Sequence, residues 1–299
     1  MRILLPLDGS KYSRVALDFV ASRSTLIGSE PQVEVLNVQL PVPVRATQLV
    51  GKAHVRSYYT EEADKVLKPS QSRLRKAGLE AGARYVVGNP AEEISSAAAK
   101  GKADLIVIGS HGRGALKGLL LGSVTNSVLA MSKAPVLILR NRAAPPADSL
   151  KVGIAVDGSK YGRAAISYVL RHPQLFGAAP KLTLIHVVQD YAGAVMPDMA
   201  GIALPAFTIE EVRSLQAKTF EKAVAPARKL LAKAGVKADE VCLVGNAGDE
   251  LAAYAKKKKL DLLVMGSHGY GAFKAAVMGS VATRTAATGD VPLLLIRHA

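Results

Sequence analysis

Several features are scarce in this sequence, and each scarcity excludes a class of protein. The 299 residues include one cysteine, Cys242, so neither an intramolecular disulfide nor a multi-cysteine zinc site can form. There is no tryptophan, and only 5 Phe and 9 Tyr, which argues against a nucleic-acid binder that stacks bases on aromatic rings. No apolar run approaches the ~18 residues of a membrane span, and the N-terminal one is too short for a signal peptide. We therefore expect a soluble, cytoplasmic protein with no membrane partner.

The charge of the chain is strongly positive. It carries 39 Lys and Arg against 24 Asp and Glu, a net charge of +15, shared almost equally between the two halves. The one basic run, Lys256–Lys259, follows a predicted helix, where lysines suit the helix dipole and solvent. Because there is no basic tail, nucleic acid is not the expected partner, whereas the overall excess favours anionic ligands.

The sequence contains a long internal repeat. The segment Ile3–Tyr12 returns as Val152–Tyr161, and Gly109–Gly112 returns as Gly266–Gly269. The offset between the copies is 149 residues at first and 157 later, which places about eight extra residues of the second copy in the loop 193–207. A period this long indicates a duplicated domain rather than a solenoid.

The repeat defines the predicted domain organisation. We expect a first domain over residues 1–142, a linker rich in Pro and Ala over 143–149, and a second domain over 150–299. A fifth strand at a sheet edge has unpaired backbone groups, so the last strands of the two copies should pair with each other. This pairing would form an internal pseudo-dimer, and a homodimer of the whole chain is also possible.

Each copy alternates strands and helices, which predicts the α/β class. The strands are nearly unbroken apolar runs, as expected of parallel strands covered by helices on both faces of the sheet. The predicted architecture is two tandem open parallel sheets of five strands. In the first copy we predict strands at 2–7, 32–39, 83–88, 104–109 and 135–140, and helices at 10–26, 59–78, 90–101 and 123–132.

A glycine motif occurs in both copies at the end of the fourth predicted strand. Gly109 and Gly112 precede Gly122-Ser123, and the pattern Gly, two residues, Gly, nine residues, Gly-Ser returns in the second copy. Bare glycine backbone beside a helix N-terminus favours phosphate binding, with Ser123 expected to cap the helix. The alternative is a tight turn without a ligand. No P-loop or dinucleotide fingerprint is present, so hydride transfer is not expected.

Two further positions of each copy are candidates for ligand contact. Asp8 and Asp157 follow the first strand of each copy, where a carboxylate could accept hydrogen bonds from a ribose hydroxyl or an adenine amino group. The alternative is that Asp-Gly-Ser only forms a turn and a helix cap. His111 and His268, in the glycine motif, are expected to donate to phosphate or backbone rather than to act in catalysis.

The sequence predicts structural roles for two other residues. His186 lies on a predicted strand and is expected to be a core residue. Cys242, between apolar neighbours on another strand, is expected to be a buried and inert thiol.

At these residues the chain resembles the universal stress protein family. The doubled glycine motif, the Asp after the first strand and the segment Gly88–Pro90 carry the resemblance over both halves. It implies sheets of order 3-2-1-4-5, an adenine nucleotide alpha hydrolase-like fold, and ATP as ligand, with or without Mg²⁺. It implies that Asp8 and the backbone of Val38 meet base and ribose, and that Gly109, Gly112, Gly122, Ser123 and Val124 meet ribose and phosphates. The matching residues of the second half are Asp157, Val187, Gly266, Gly269, Gly279, Ser280 and Val281.

The second half departs from the pattern at a candidate phosphate contact. Tyr270 stands where the first half has Arg113, which predicts tighter ATP binding in the first half. The Lys117 and Lys274 pair persists and could compensate.

The leading hypothesis is an ATP-binding stress-response module with slow hydrolysis at most, because the sequence shows no obvious carboxylate pair for Mg²⁺ and no water-activating base. The alternatives are an ATP-hydrolysing or adenylyl-transferring enzyme, or a scaffold that binds no nucleotide.

Overall fold

The computed structural model describes residues 1–26, 31–112, 121–140, 149–190, 209–269 and 278–297. The strands in these residues are β1 (Arg2–Pro6), β2 (Gln32–Gln39), β3 (Ala81–Val87), β4 (Leu105–Gly109), β5 (Val136–Leu139), β6 (Lys151–Ala155), β7 (Lys181–Val188), β8 (Asp239–Val244), β9 (Leu262–Gly266) and β10 (Leu293–Ile296). The α-helices are α1 (Lys11–Ala21), α2 (Val44–Val50), α3 (Lys52–Lys76), α4 (Pro90–Lys100), α5 (Ser123–Met131), α6 (Lys160–Arg171), α7 (Ile209–Lys233), α8 (Ala247–Lys257) and α9 (Ser280–Thr288).

The strands form one continuous sheet in the order β3-β2-β1-β4-β5-β10-β9-β6-β7-β8. Each half therefore has the order 3-2-1-4-5, and every pairing within a half is parallel, as the sequence and the resemblance predicted. Two apolar layers cover the sheet, one with α1, α3, α6 and α7 and the other with α4, α5, α8 and α9. Burial on both faces explains why the strands are apolar along their length.

The two halves join through an antiparallel pairing of β5 with β10, which we call the central ladder. Leu137 lies opposite Leu294 at its middle, so the strands expected to pair do so. Because the two strands run in opposite directions, the carboxyl ends of the parallel strands of the two halves lie at opposite edges of the sheet. Ligands of open α/β sheets bind at those carboxyl ends, so the two candidate sites open on opposite sides of the molecule.

Contacts beside the central ladder also link the halves. The hydroxyl of Tyr168 on α6 donates to the carbonyl of Asp104 at 3.1 Å. The hydroxyl of Thr25 donates to the carbonyl of Gln174 at 2.7 Å, between two single-turn 3₁₀ helices, Ser24–Leu26 and Pro173–Leu175. In the described part of the chain, no helix has the length and apolar character needed to cross a membrane.

Some elements differ from the sequence expectation. The helix expected over 10–26 ends at Ala21, and the one expected to begin at 59 begins at Lys52. The short helix α2 had no counterpart among the predictions, because it buries no residue and so shows no amphipathic pattern. Cys242 is exposed rather than buried, since β8 is an edge strand whose residues alternate between exposed and half-buried. The insertion expected in 193–207 lies outside the described residues.

Candidate functional site

In each half, an aspartate lies against the glycine loop, by which we mean residues 109–112 and 266–269. Strands β1 and β4 are neighbours, so Asp8, which follows β1, reaches the loop that follows β4. A Cβ atom at Gly112 would lie 2.8 Å from Asp8 Oδ2, and one at Gly269 would lie 2.6 Å from Asp157 Oδ2. Because glycine has no side chain at this position, the carboxylate and the loop backbone can both line one crevice.

The same aspartates also shape the turn that begins the next helix. Asp8 Oδ1 accepts from the Ser10 amide at 2.9 Å, and Ser10 caps α1 by accepting from the Ser13 amide at 3.2 Å. Asp157 and Ser159 repeat this arrangement in the second half. The aspartates thus form the turn before the helix, which is the role that the sequence offered as the alternative to ligand contact. That role uses Oδ1 of each carboxylate, while Oδ2 lies against the glycine loop.

The helices that follow the glycine loops are capped by glycine rather than by serine. The N-cap residues are Gly122 and Gly279, so the expectation that Ser123 caps α5 was wrong: Ser123 is the first helical residue, with its side chain exposed. Neither cap makes a side-chain hydrogen bond. The Gly122 amide donates to the Ser110 carbonyl at 2.8 Å, and Gly279 does the same to Ser267, which holds each helix N-terminus beside its loop. The positive end of the helix dipole therefore faces the crevice.

Each loop histidine is held between a serine and a tyrosine. His111 Nδ1 lies 3.1 Å from Ser110 Oγ, and its ring centroid lies 5.1 Å from that of Tyr12. The Lys11 ammonium lies 4.8 Å from the centroid of the same tyrosine ring. Lys160, Tyr161, Ser267 and His268 repeat the arrangement in the second half. Sequence reasoning missed both tyrosines, although the repeated Lys-Tyr pair was a signal that could have identified them.

Gly109 and Gly266 are required for helix packing. A Cβ atom at Gly109 would lie 2.7 Å from the backbone carbon of Tyr12, and one at Gly266 would lie 2.6 Å from Tyr161 Cβ. The first helix of each half thus packs directly on the glycine at the end of the fourth strand. Packing alone explains these two glycines, and their predicted contact with a ligand stays a prediction.

A cavity of about 740 Å³ opens at the carboxyl ends of β6, β7 and β9. The predicted nucleotide contacts of the second half that the structure describes all line it: Asp157, Val187, Gly266, His268, Gly269, Gly279, Ser280 and Val281. Their counterparts in the first half occupy the equivalent places of the repeated fold: Asp8, Val38, Gly109, His111, Gly112, Gly122, Ser123 and Val124. The volume lies in the range of ligand-binding pockets.

His186 lines this cavity, whereas the sequence predicted a core residue. Its Nδ1 lies 2.7 Å from the Val156 carbonyl, so Nδ1 carries a hydrogen and donates. Its Nε2 has no hydrogen-bond partner among the described residues. In the first half Asn37 occupies this position and donates to the Leu7 carbonyl at 2.8 Å.

Two half-buried arginines follow the strands of the central ladder. Burial lowers the pKa of Arg140 below its usual range, partly offset by the nearby Asp290 and Tyr12. Burial likewise lowers the pKa of Arg297, partly offset by Tyr161. Arginine remains charged despite such shifts, so each half has a cation close to the tyrosine that packs on its loop histidine.

Four residues that bear on phosphate binding lie outside the described residues: Arg113, Lys117, Tyr270 and Lys274. The expected difference in ATP affinity between the two halves therefore stays a prediction. Among the residues that the structure describes, no three His, Cys, Asp or Glu side chains cluster as a metal site would require.

Comparisons with known proteins agree on one family. The model of the universal stress protein family matches residues 1–140 and 150–297. A universal stress protein of Bacillus subtilis is 32% identical over 149 residues, covering 46% of this chain and 98% of the relative. One of Mycolicibacterium smegmatis is 26% identical over 324 aligned positions, covering 99% of this chain and 96% of the relative. The crystal structure of a universal stress protein from Archaeoglobus fulgidus shares the fold, with a TM-score of 0.71, 21% identity and coverage of 100% and 98%.

Proposed function

We propose that this chain, which belongs to the universal stress protein family, binds ATP in both halves and acts as a nucleotide-dependent module of the stress response. The observation that carries the proposal is the junction of three features: a glycine loop, a helix N-terminus without a side-chain cap, and an aspartate against the loop backbone.

The phosphate end of the ligand would lie at the glycine loops. The first amides of α5 and α9 have no intrahelical partner, and no side chain of the cap residue occupies them. A phosphate placed there would accept from these amides and interact favourably with the helix dipole. The net charge of +15 adds a long-range attraction for an anion.

The base and ribose end would lie at the carboxyl ends of the first two strands of each half. Asp8 and Asp157 present carboxylates that can accept from ribose hydroxyls or an amino group. Val38 and Val187 lie near the ends of β2 and β7, where their backbone groups could meet an adenine edge. This assignment follows the family resemblance residue by residue.

The proposed role is binding with slow hydrolysis at most. The donors that would surround the phosphates are backbone amides, and the sequence shows beside them no obvious carboxylate pair for Mg²⁺ and no water-activating base. Without a group that activates the attacking water, bound ATP should be hydrolysed slowly. A bound nucleotide would then act by changing the conformation or the partners of the module.

Calorimetric titration of the purified nucleotide-free chain with ATP, ADP, AMP and GTP tests the proposal. We expect ATP to bind with up to two sites per chain and to remain largely intact over hours when the mixture is analysed by chromatography. Rapid release of phosphate or pyrophosphate would instead favour the enzyme. Absence of binding by every nucleotide would favour the scaffold and overturn the proposal.

A further inference from the structure

Exposed apolar side chains are concentrated at one corner of the first half. Six of the ten large apolar residues that are exposed in the described part of the chain come from the segment 40–58 or the end of β3. We call these six the α2 patch: Leu40, Val44, Leu49, Val50, Tyr58 and Val87. Leu49 is 87% exposed and Val44 is 73% exposed, so these side chains stand out from the surface. Single exposed apolar residues are ordinary, whereas a concentration of them marks an interaction site.

The parts of the α2 patch are held together by the sheet and by α3. Val87 lies opposite Gln39 in the pairing of β2 with β3, next to the start of the segment. Gln39 Nε2 donates to the Tyr59 carbonyl at 2.8 Å, and the Val42 amide donates to the Tyr59 hydroxyl at 2.6 Å. These hydrogen bonds tie the chain that leaves β2 to the early turns of α3, so both ends of the segment lie at the same corner.

Helix α2 presents apolar side chains that it does not use for packing. None of its seven residues, all of them described, is buried. The helix follows Pro43 and ends at Gly51, whose φ of +83° separates it from α3. Glycine adopts this left-handed backbone without strain, so the chain can change direction between the two helices. The apolar surface of α2 is therefore available to a partner.

The same segment is positively charged. Between Glu34 and Glu61 the sequence contains no acidic residue. Three cations of this stretch are exposed and have no ion pair with a described residue: Arg45, Lys52 and Arg56. The α2 patch thus combines protruding apolar side chains with unpaired positive charge.

A partner for the α2 patch must supply apolar contact and negative charge together. A second copy of the chain would bring the same cations against one another, so charge disfavours a symmetric dimer here. An acidic polypeptide would satisfy the cations, but it would also need cavities that match the protruding side chains. A bilayer with anionic lipids needs no such match, because its acyl region admits apolar side chains while its headgroups attract Lys and Arg in the same plane.

We infer that the α2 patch docks this chain on a membrane surface that carries anionic lipids. The apolar side chains lie between the headgroups and the acyl chains, and the three cations pair with lipid phosphates and carboxylates. Binding of this kind needs no spanning helix. The sequence expectation of no membrane partner rested on the lack of a spanning segment and of a signal peptide, neither of which bears on surface binding. The inference is independent of the proposed function, because no residue assigned to the nucleotide belongs to the α2 patch.

Cosedimentation of the full chain with vesicles tests the inference. We expect binding to vesicles of phosphatidylcholine with phosphatidylserine, weakened by added salt, and little binding to phosphatidylcholine alone. Leu49→Ser should weaken binding at least about tenfold, as expected from the loss of one buried leucine. Arg45→Gln should weaken it about fivefold, the contribution of one cation near an anionic surface. Both side chains are exposed, so the two variants should keep the melting temperature of the parent chain.

Two variants elsewhere are matched controls and should bind as the parent chain does. Leu215→Ser removes an exposed leucine from α7. Lys256→Gln removes a cation from the basic run 256–259, which contains none of the exposed large apolar residues of the described chain.

No binding to the anionic vesicles, equal binding to both kinds of vesicle, or equal losses in the controls and the patch variants would overturn the inference. Binding that Leu49→Ser leaves unchanged would also overturn it, since charge alone would then hold the chain. Retention on immobilised polyglutamate that depends on Leu49 as strongly as vesicle binding does would assign the α2 patch to an acidic polypeptide and overturn the inference as well.

Discussion

Leu137 lies directly opposite Leu294 at the middle of the central ladder. On either side of this pair, Val136 faces Leu295 and Ile138 faces Leu293, so each strand meets the same stretch of its repeat. The contact is isologous, with a pseudo-twofold axis between the two leucines. All four residues of each strand are buried, so the central ladder is part of the core as well as a junction.

This pairing predicts how the first half behaves alone. A chain of residues 1–142 would leave β5 as an unpaired edge whose apolar side chains are fully buried in the intact protein. We expect it to form homodimers through β5, or to aggregate, when light scattering follows its mass over a range of concentrations. The full chain at the same concentrations is the control. A half that stays monomeric throughout would show that the edge does not need a partner.

Replacement of the N-cap glycine should separate nucleotide binding from helix stability. Gly122→Asp places a carboxylate that can accept from the first amides of α5, so the melting temperature should be maintained or rise. The same carboxylate occupies the proposed phosphate position and repels an anion. We expect ATP affinity in the first half to fall at least about tenfold, or ~1.4 kcal/mol, by calorimetry.

The matched control is Gly122→Asn, which has the same size and also caps a helix, but carries no charge. Its loss of ATP affinity should be smaller than that of the aspartate variant. A Cβ at this position would lie 3.2 Å from His111 Cα, so the neighbouring loop must yield slightly in both variants. Unchanged ATP affinity and stoichiometry in a folded aspartate variant would mean that the loop is only a turn.

His172 should make the contact between the halves sensitive to acid. Burial lowers the pKa of this imidazole more than the nearby Asp104 raises it, while Arg171 and the N-terminal amine also lower it. The unfolded chain therefore binds the proton more readily, and stability is lost as the pH falls through the unfolded pKa of ~6.5 towards the lower folded value. We expect His172→Gln to lose less melting temperature between pH 7.5 and pH 5.5 than the parent chain.

His54→Gln is the control for that measurement, because His54 is exposed on α3. Only the slope of melting temperature against pH bears on the prediction, since the lost ring contact with Tyr168, at 4.6 Å, lowers stability at every pH. Parallel slopes for the parent chain and His172→Gln would contradict it.

Cys242 should react in the folded protein, but slowly. Its side chain is exposed on β8, while partial burial raises the pKa of the thiol and reduces the thiolate fraction at neutral pH. We expect iodoacetamide to label one equivalent per chain, more slowly than a free cysteine at pH 7.5 and faster as the pH rises. Cys242→Ser should take up no label. Complete protection until denaturant is added would show that the thiol is buried.

Much of the fold followed from local sequence patterns. The apolar runs identified the strands of the first half to within two residues at either end, and the repeat carried the assignment to the second half. The start of α4 was predicted correctly at residue 90, and the start of α1 to within one residue. The start of α3 was not, because its first turns are mostly exposed and show no amphipathic pattern. Ser123 was mistaken for a cap, because the glycine before it has no side chain to mark the helix start.

By itself, the sequence determined the duplication, the α/β class and the positions of the glycine loops, because each of these depends on residues close together in the chain. Only the tertiary structure showed that Asp8 touches Gly112, since contact across a hundred residues depends on which strands are neighbours. It also placed Thr219 and Lys222 at the cavity, because α7 packs across β7 and brings one face of a long helix to the strand ends. The antiparallel central ladder, in turn, decided that the two sites open at opposite edges of one sheet, since strand direction is a property of the packed molecule and not of the repeat.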